Sequence, residues 1–273
     1  MQNSALWQET KVQQLTTLLR PHPSVQSLLI VGSTASDSTD DWSDLDAILV
    51  VADDALDAWF PSTFWLEPLG PLFAFEQHQG QNRGTTRLCF TDGRRLDLII
   101  VTESNFLSSS DLPLWDGVRV VFSYSEEVRM RATRGQPRLS VNPLDNEQFD
   151  TFVNTFWFRA VVATEKVVRN DLLIGLHLCL EAIQDTCILA MMLRDREEGT
   201  TVHRTGGVGN FAQQLYAPPA SPTAKGILDS LERTSRTFDT LAARWTPSYR
   251  ARHERFSFWL GKAKKACRTA EER

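Results

Sequence analysis

The feature that most constrains the fold is a change of texture near residue 145. Before it, apolar runs are short and bounded by Gly, Pro, Asp and Ser; after it, they extend over helix lengths with almost no Gly or Pro. Short bounded runs suit strands joined by turns and helices, and long ones suit a helical bundle. The expected class is α+β: residues 1–145 as a mixed β-sheet flanked by helices, and residues 146–273 as an all-α bundle.

A first helix is expected over Ala5–Leu19, with Leu6, Val12, Leu15, Leu18 and Leu19 on one side and Pro21 and Pro23 ending it. Strands are expected at "SVQSLLIV", "LDAILVV", "PLFAFEQ", "TTRLCF", "RRLDLIIV" and "GVRVVF". Asp92-Gly93 lies between the fourth and fifth, a hairpin signal that sets these two side by side and antiparallel. In the second half, "NEQFDTFVNTFWFRAVVATEKVVRN" and "DLLIGLHLCLEAIQDTCILAMMLRDREEG" read as helices, with Asn170-Asp171 closing one and capping the next. A Gly- and Thr-rich loop carrying His203 and Arg204 follows, read either as a lid or as a connection, then helical patterns at "FAQQLY", "TAKGILDSLERTSRTFDTLAARW" and "SYRARHERFSFWLGKAKKACRTAEER".

Composition narrows the function. An apolar share of 42% and a charged share of 23% are those of a folded globular chain. A net charge of −5 disfavours a general nucleic-acid binder, which needs cationic surface against phosphates, and is compatible with a cationic small substrate. Cys89, Cys179, Cys187 and Cys267 form no CxxC pair and no metal-ligand spacing with histidine, so they read as reduced structural thiols. The N-terminus is polar throughout, and no uninterrupted apolar run reaches the ~20 residues that span a bilayer. The expectation is a cytoplasmic protein without a membrane partner. The basic segment from Arg250 to Arg273 alternates charges with apolar residues at helical spacing, as the solvated face of a packed terminal helix does.

The chemistry concentrates in "VGSTASDSTDDWSDLDAILVV". In a strand, residues i and i+2 share a face, so Asp44 and Asp46 project together while Leu45 points the other way. Two close carboxylates repel unless a cation sits between them. Asp97 repeats the pattern, an acid set into an apolar strand expected beside the first. Three such carboxylates make a hard-oxygen site suited to Mg²⁺. Gly32-Ser33, ending the preceding strand, fits a phosphate cradle: glycine permits close backbone approach, serine offers a hydroxyl, and amides at a following helix start attract anions. Read as purely structural residues, Asp44 would bond its own turn and Asp97 would neighbour Arg94 or Arg95.

The order apolar-Gly-Ser, ten residues, Asp-Leu-Asp-apolar, then a later strand aspartate, resembles the polymerase-β-type nucleotidyltransferase superfamily. Within it the chain is similar to aminoglycoside adenylyltransferases of the streptomycin 6-adenylyltransferase type, and to lincosamide nucleotidyltransferases. The resemblance implies an N-terminal nucleotidyltransferase domain and a C-terminal helical domain for the acceptor. It implies a Mg²⁺-dependent transfer of AMP from ATP to a hydroxyl of a cationic small-molecule antibiotic, with Gly32 and Ser33 on the triphosphate and Asp44, Asp46 and Asp97 on metal. Alternative acceptors are a lincosamide, or a protein or RNA as in toxin–antitoxin systems. A nucleotide-binding regulatory module is the alternative of another class, disfavoured by the intact carboxylates.

For the base that accepts the acceptor's proton, the spacing His177, Glu181, Asp185 stacks three titratable groups on one helix face. Glu181 is the first choice and His177 the second, and the same stripe also reads as a water-facing side of a buried helix. Lys166 and Arg169, ending the preceding helix, are candidates for phosphate contacts or simply dipole-complementing cations. Trp42 is expected to be a packed loop aromatic, with stacking on a ligand as the alternative.

Overall fold

The computed structural model describes residues 7–36, 39–110, 112–114, 117–135, 145–198 and 221–271. The chain divides into two compact units, Met1–Leu139 and Ser140–Arg273.

In the first unit, α1 (Trp7–Leu19) is followed by β1 (Val25–Val31), β2 (Leu45–Val51), α2 (Leu56–Trp59), β3 (Leu72–Gly80), β4 (Arg83–Phe90), β5 (Arg95–Thr102), α3 (Glu103–Ser108), β6 (Val118–Ser123) and α4 (Glu126–Arg134). All six expected strands form, and they make one mixed sheet in the order β3-β4-β5-β2-β1-β6. β2 and β5 run parallel, and every other neighbouring pair is antiparallel. Ala5 and Leu6 of the expected first helix lie outside the described residues. At the β4–β5 hairpin, Gly93 adopts φ +81° and donates its N–H to the Phe90 carbonyl at 2.9 Å.

The centre of the sheet is buried on both faces. Leu45, Ala47, Leu49 and Val51 of β2 join a core with Leu15 and Leu19 of α1. Ile48 and Val50 join a second core with Phe106, Val128 and Ala132 from α3 and α4. A strand covered on both sides reads as a continuous apolar run, which is why "AILVV" shows no alternation.

The second unit consists of α5 (Asn146–Val168), α6 (Leu172–Glu198), α7 (Ala224–Trp245) and α8 (His253–Glu271) among the described residues. Asp145 starts α5 with a capping box, its side chain accepting from the Gln148 N–H at 2.8 Å while Gln148 accepts from the Asp145 N–H at 3.2 Å. The turn after α5 follows the sequence reading: Asn170 takes φ +61°, and the Asp171 carboxylate accepts from the Ile174 N–H at 3.4 Å. Phe156 and Phe238 stack at the centre of the bundle, and Phe149 stacks on Trp245. α8 buries Phe256, Leu260 and Ala263 and exposes Lys262 and Lys265. The expected helix at "FAQQLY" and the loop with His203 and Arg204 lie outside the described residues.

One helix is longer and more apolar than the search for apolar runs in the sequence brought out. Leu172–Glu197, with a mean hydropathy of 1.6 in its most apolar window, is long and apolar enough by length and composition to cross a membrane. A search for uninterrupted apolar runs misses it because His177, Glu181, Gln184 and Asp185 break the stretch into short pieces. Cys179, Ala182, Leu189 and Leu193 of this helix are buried in the bundle core, and Glu181 and Asp185 are ion-paired with Arg159 of α5.

Candidate active site

The site is built by strand register. Asp46 lies directly opposite Asp97 across the parallel β2–β5 pair and opposite Val31 across the antiparallel β1–β2 pair. Asp44 is the residue immediately before β2 and projects with Asp46. Oxygens of Asp44, Asp46 and Asp97 lie within 4.8 Å of one another, the one group of metal-compatible side chains found among the described residues.

Gly32 follows Val31, so the chain leaving β1 passes beside Asp46. It turns there with φ +71°, and a Cβ at this position would stand 2.5 Å from Asp46 Oδ2. The positive φ therefore favours glycine, and a side chain there would displace the Asp46 carboxylate. The structure differs here from the expected helix start: Gly32–Thr34 is a single 3-10 turn. The Ser33 hydroxyl lies 3.4 Å from that of Thr39.

The loop before Asp44 is held from below. Gln8 of α1 is fully buried, and its amide donates to the carbonyls of Asp40 at 2.8 Å and Ser43 at 3.0 Å. Asp40 closes the loop by accepting from the Trp42 N–H at 2.9 Å and the Ser43 hydroxyl at 2.8 Å. Trp42 is 92% exposed, which overturns its reading as a packed aromatic: the bonds of this loop are polar and leave the indole outside them.

Two arginines that the sequence reading did not select for the site balance its charge. Arg87 of β4 sits opposite Asp97, with Nε 3.2 Å from Asp97 Oδ2. Arg95 Nη2 lies 3.0 Å from Asp44 Oδ2. The purely structural alternative had Asp97 beside Arg94 or Arg95: Arg94 pairs with Asp92 in the hairpin turn, whereas the charge of Arg95 does act on Asp97. Arg87 was legible in principle, as an arginine at an alternating position of "TTRLCF" beside the strand of Asp97. Burial pushes the Asp97 carboxyl above the ordinary carboxylate range, Arg87 opposes that shift, and the nearby Asp44 adds to it. Three acids so placed, one with its ionised form disfavoured by burial, fit a divalent cation: the donors are hard oxygens and their mutual repulsion is what a cation relieves.

The remaining expected residues belong to the second unit. His177, Glu181 and Asp185 do share one face of α6, and Arg159 of α5 joins them: its Nε is 3.0 Å from Glu181 Oε2 and its Nη1 contacts Asp185. His177 Nε2 is 3.8 Å from Glu181 Oε1. Burial raises the pKa of Asp185, and Arg159 opposes it. Lys166 lies 3.4 Å from Asp171 at the end of α5. Arg159 was not selected because a lone arginine in a long helix carries no sign of its partner.

No curated protein matches the sequence. Several solved structures resemble the chain at low identity, among them the following. An aminoglycoside 6-adenyltransferase from Bacillus subtilis has 12% identity and TM-score 0.44 over 94% of this chain and 98% of the other. A spectinomycin adenyltransferase from Enterococcus faecialis, determined with ATP and spectinomycin, has 12% identity and TM-score 0.32 over 96% and 98%. A nucleotidyltransferase-like protein from Exiguobacterium sibiricum has 9% identity and TM-score 0.30 over 96% and 74%. The family model described as streptomycin adenylyltransferase matches residues 8–195, more than half the chain and including Gly32, Asp44, Asp46 and Asp97. The chain therefore belongs to the streptomycin adenylyltransferase family of nucleotidyltransferases.

Proposed function

We propose that this chain transfers AMP from ATP to a hydroxyl of a cationic aminoglycoside, with Mg²⁺, and confers resistance to it in the cytoplasm. The observation that carries the reading is the convergence of Asp44, Asp46 and Asp97 within 4.8 Å beside a glycine whose missing side chain leaves room for Asp46. The family description points to the acceptor class.

In this reading Asp44, Asp46 and Asp97 hold the metal, and Gly32 and Ser33 face the triphosphate. When bound, a divalent ion supplies charge neutralisation for the phosphates and the reacting oxygens. The acceptor hydroxyl attacks the α-phosphorus, its proton passes to Glu181 or, failing that, to His177, and pyrophosphate leaves. Lys166 contributes a phosphate contact. The pair Glu181 and Asp185 also suits a cationic acceptor, since Arg159 neutralises one of their two charges and leaves one. Partners are thus an NTP and a small molecule, with no nucleic acid and no membrane.

The test is pyrophosphate release from ATP or GTP with Mg²⁺ across a panel of aminoglycosides and lincosamides. Release is expected with ATP and an aminoglycoside, and Asp46→Asn is expected to reduce it by at least roughly a thousandfold while leaving the circular dichroism unchanged. Activity that survives Asp46→Asn refutes the metal assignment, and release with lincosamides alone refutes the acceptor class.

A further inference from the structure

A row of charge crosses the sheet and ends at the triad. Glu76 of β3 is opposite Arg87 of β4, Arg87 is opposite Asp97 of β5, and Asp97 is opposite Asp46 of β2. Directly opposed residues share a face, so the four side chains stand in line from the sheet edge inward. Arg87 is placed between two acids. Its Nε is 3.2 Å from Asp97 Oδ2, and its Nη1 is 3.8 Å from Glu76 Oε2.

The two contacts are unequal in a way that matters. The inner one is at hydrogen-bond distance, and the outer one is about half an ångström too long for a good bond. The other oxygen of Glu76 is engaged by His78, whose Nε2 lies 2.8 Å from Oε1, while Oε2 faces Arg87. A guanidinium on Asp97 competes with a metal ion for the charge of that one carboxylate. Displacing it would leave an unpaired cation beside a cation site, unless a second acid stood ready to take it.

We propose that Glu76 is the alternate seat of Arg87: when a divalent cation engages Asp97, Arg87 closes onto Glu76, and this exchange sets how tightly the triad holds metal. The inference rests on the metal reading given above. It makes Arg87 and Glu76 positioning residues, neither of which touches the reacting atoms. Without metal, Arg87 keeps Asp97 paired. With metal, Glu76 keeps Arg87 paired, so the exchange loses the inner ion pair and tightens the outer one on the same row.

The probe is Mn²⁺ alone, with the free ion measured by electron paramagnetic resonance against the full chain without nucleotide. Arg87→Gln removes the competitor and is expected to tighten Mn²⁺ binding about two- to fivefold, the range of an ion pair at this exposure. Glu76→Gln strengthens the hold of Arg87 on Asp97 and is expected to weaken binding by a similar factor. Added to Arg87→Gln, Glu76→Gln is expected to have no further effect, because its action passes through Arg87. An equal loss in both backgrounds overturns the proposal, since Glu76 would then act by its own charge. Binding to Glu76→Gln identical to wild type also overturns it. The controls separate this from the metal reading: Mn²⁺ bound no better by the wild-type chain than by Asp46→Asn refutes both, whereas loss in Asp46→Asn alone refutes only the exchange. Melting temperatures of all variants without metal show that each is folded.

Discussion

Gly32→Ala isolates the geometry on which the site depends. The added Cβ would stand 2.5 Å from Asp46 Oδ2, and ordinary contact begins at 3.4 Å, so the carboxylate must retreat by about 0.9 Å. A displacement of that size in a group that positions the reaction costs on the order of a hundredfold in rate. The backbone adds its own term: alanine at φ +71° costs ~1–2 kcal/mol, which lowers the melting temperature by roughly 2–8 °C. Gly93→Ala is the matched control, since that residue has φ +81° and nothing within 4 Å of its added Cβ. It should lose about the same stability and keep activity within about twofold. The assays are pyrophosphate release at saturating ATP and thermal unfolding by circular dichroism. If Gly32→Ala retains activity as Gly93→Ala does, the argument that Gly32 makes room for Asp46 is wrong.

Arg159→Met leaves Glu181 and Asp185 without their guanidinium and should cost ~2–3 kcal/mol in urea unfolding at pH 8. Because burial raises the pKa of Asp185, the penalty belongs to its ionised form and should shrink as the pH falls and the acid takes up its proton. Asp229, held down to about 2 by Lys225 and Lys264, contributes stability present above its ordinary value and lost as the pH falls through about 2. Asp229→Asn should therefore lower the melting temperature at pH 7, and by less at 0.5 M salt, with the difference fading below about pH 4. Chelation should not unfold the chain, because Arg87 and Arg95 already pair two of the three acids. Removing metal present at about ten times its Kd should cost ~1.4 kcal/mol, a few degrees in melting temperature, and loss of helical dichroism at 25 °C with EDTA would contradict this.

Much of the site was legible because its residues break a local pattern. Asp46 and Asp97 are acids in apolar strands, Asp44 stands at the entry of one, and Gly32 ends an apolar run; each acid is costly for folding alone, and the cost is visible in one dimension. Arg87, Arg95 and Arg159 break no pattern. An arginine at an alternating strand position or on a helix is ordinary, and its role depends on which acid the register sets opposite it. Arg95 shows the limit: it is two residues from Asp97, yet its ion pair is with Asp44, the residue before β2. Gln8 was hidden for the same reason, because its partners are two carbonyls more than thirty residues away. The packing of Trp42 was misread because loop aromatics are usually buried, whereas the polar closure of this loop by Asp40 and Gln8 needs no aromatic beneath it.

The position of Gly32 couples two tasks that the sequence presents as separate. Glycine was read as the residue that lets a phosphate approach the backbone, and the structure gives it a second constraint in the carboxylate of Asp46. Both follow from one register. Val31 pairs with Asp46, so whatever leaves β1 must pass over the metal-compatible oxygens before it can turn, and only a residue without a side chain does so at φ +71°. The turn proposed to face the phosphates and the strand that carries the acids thus lie side by side, close enough that a methyl group on Gly32 would displace the Asp46 carboxylate. A nucleotide pressing on that turn would therefore be felt at Asp46, and through Asp97 along the row to Arg87 and Glu76. In the proposed reading the register of β1 against β2 therefore sets where phosphate and metal lie relative to each other.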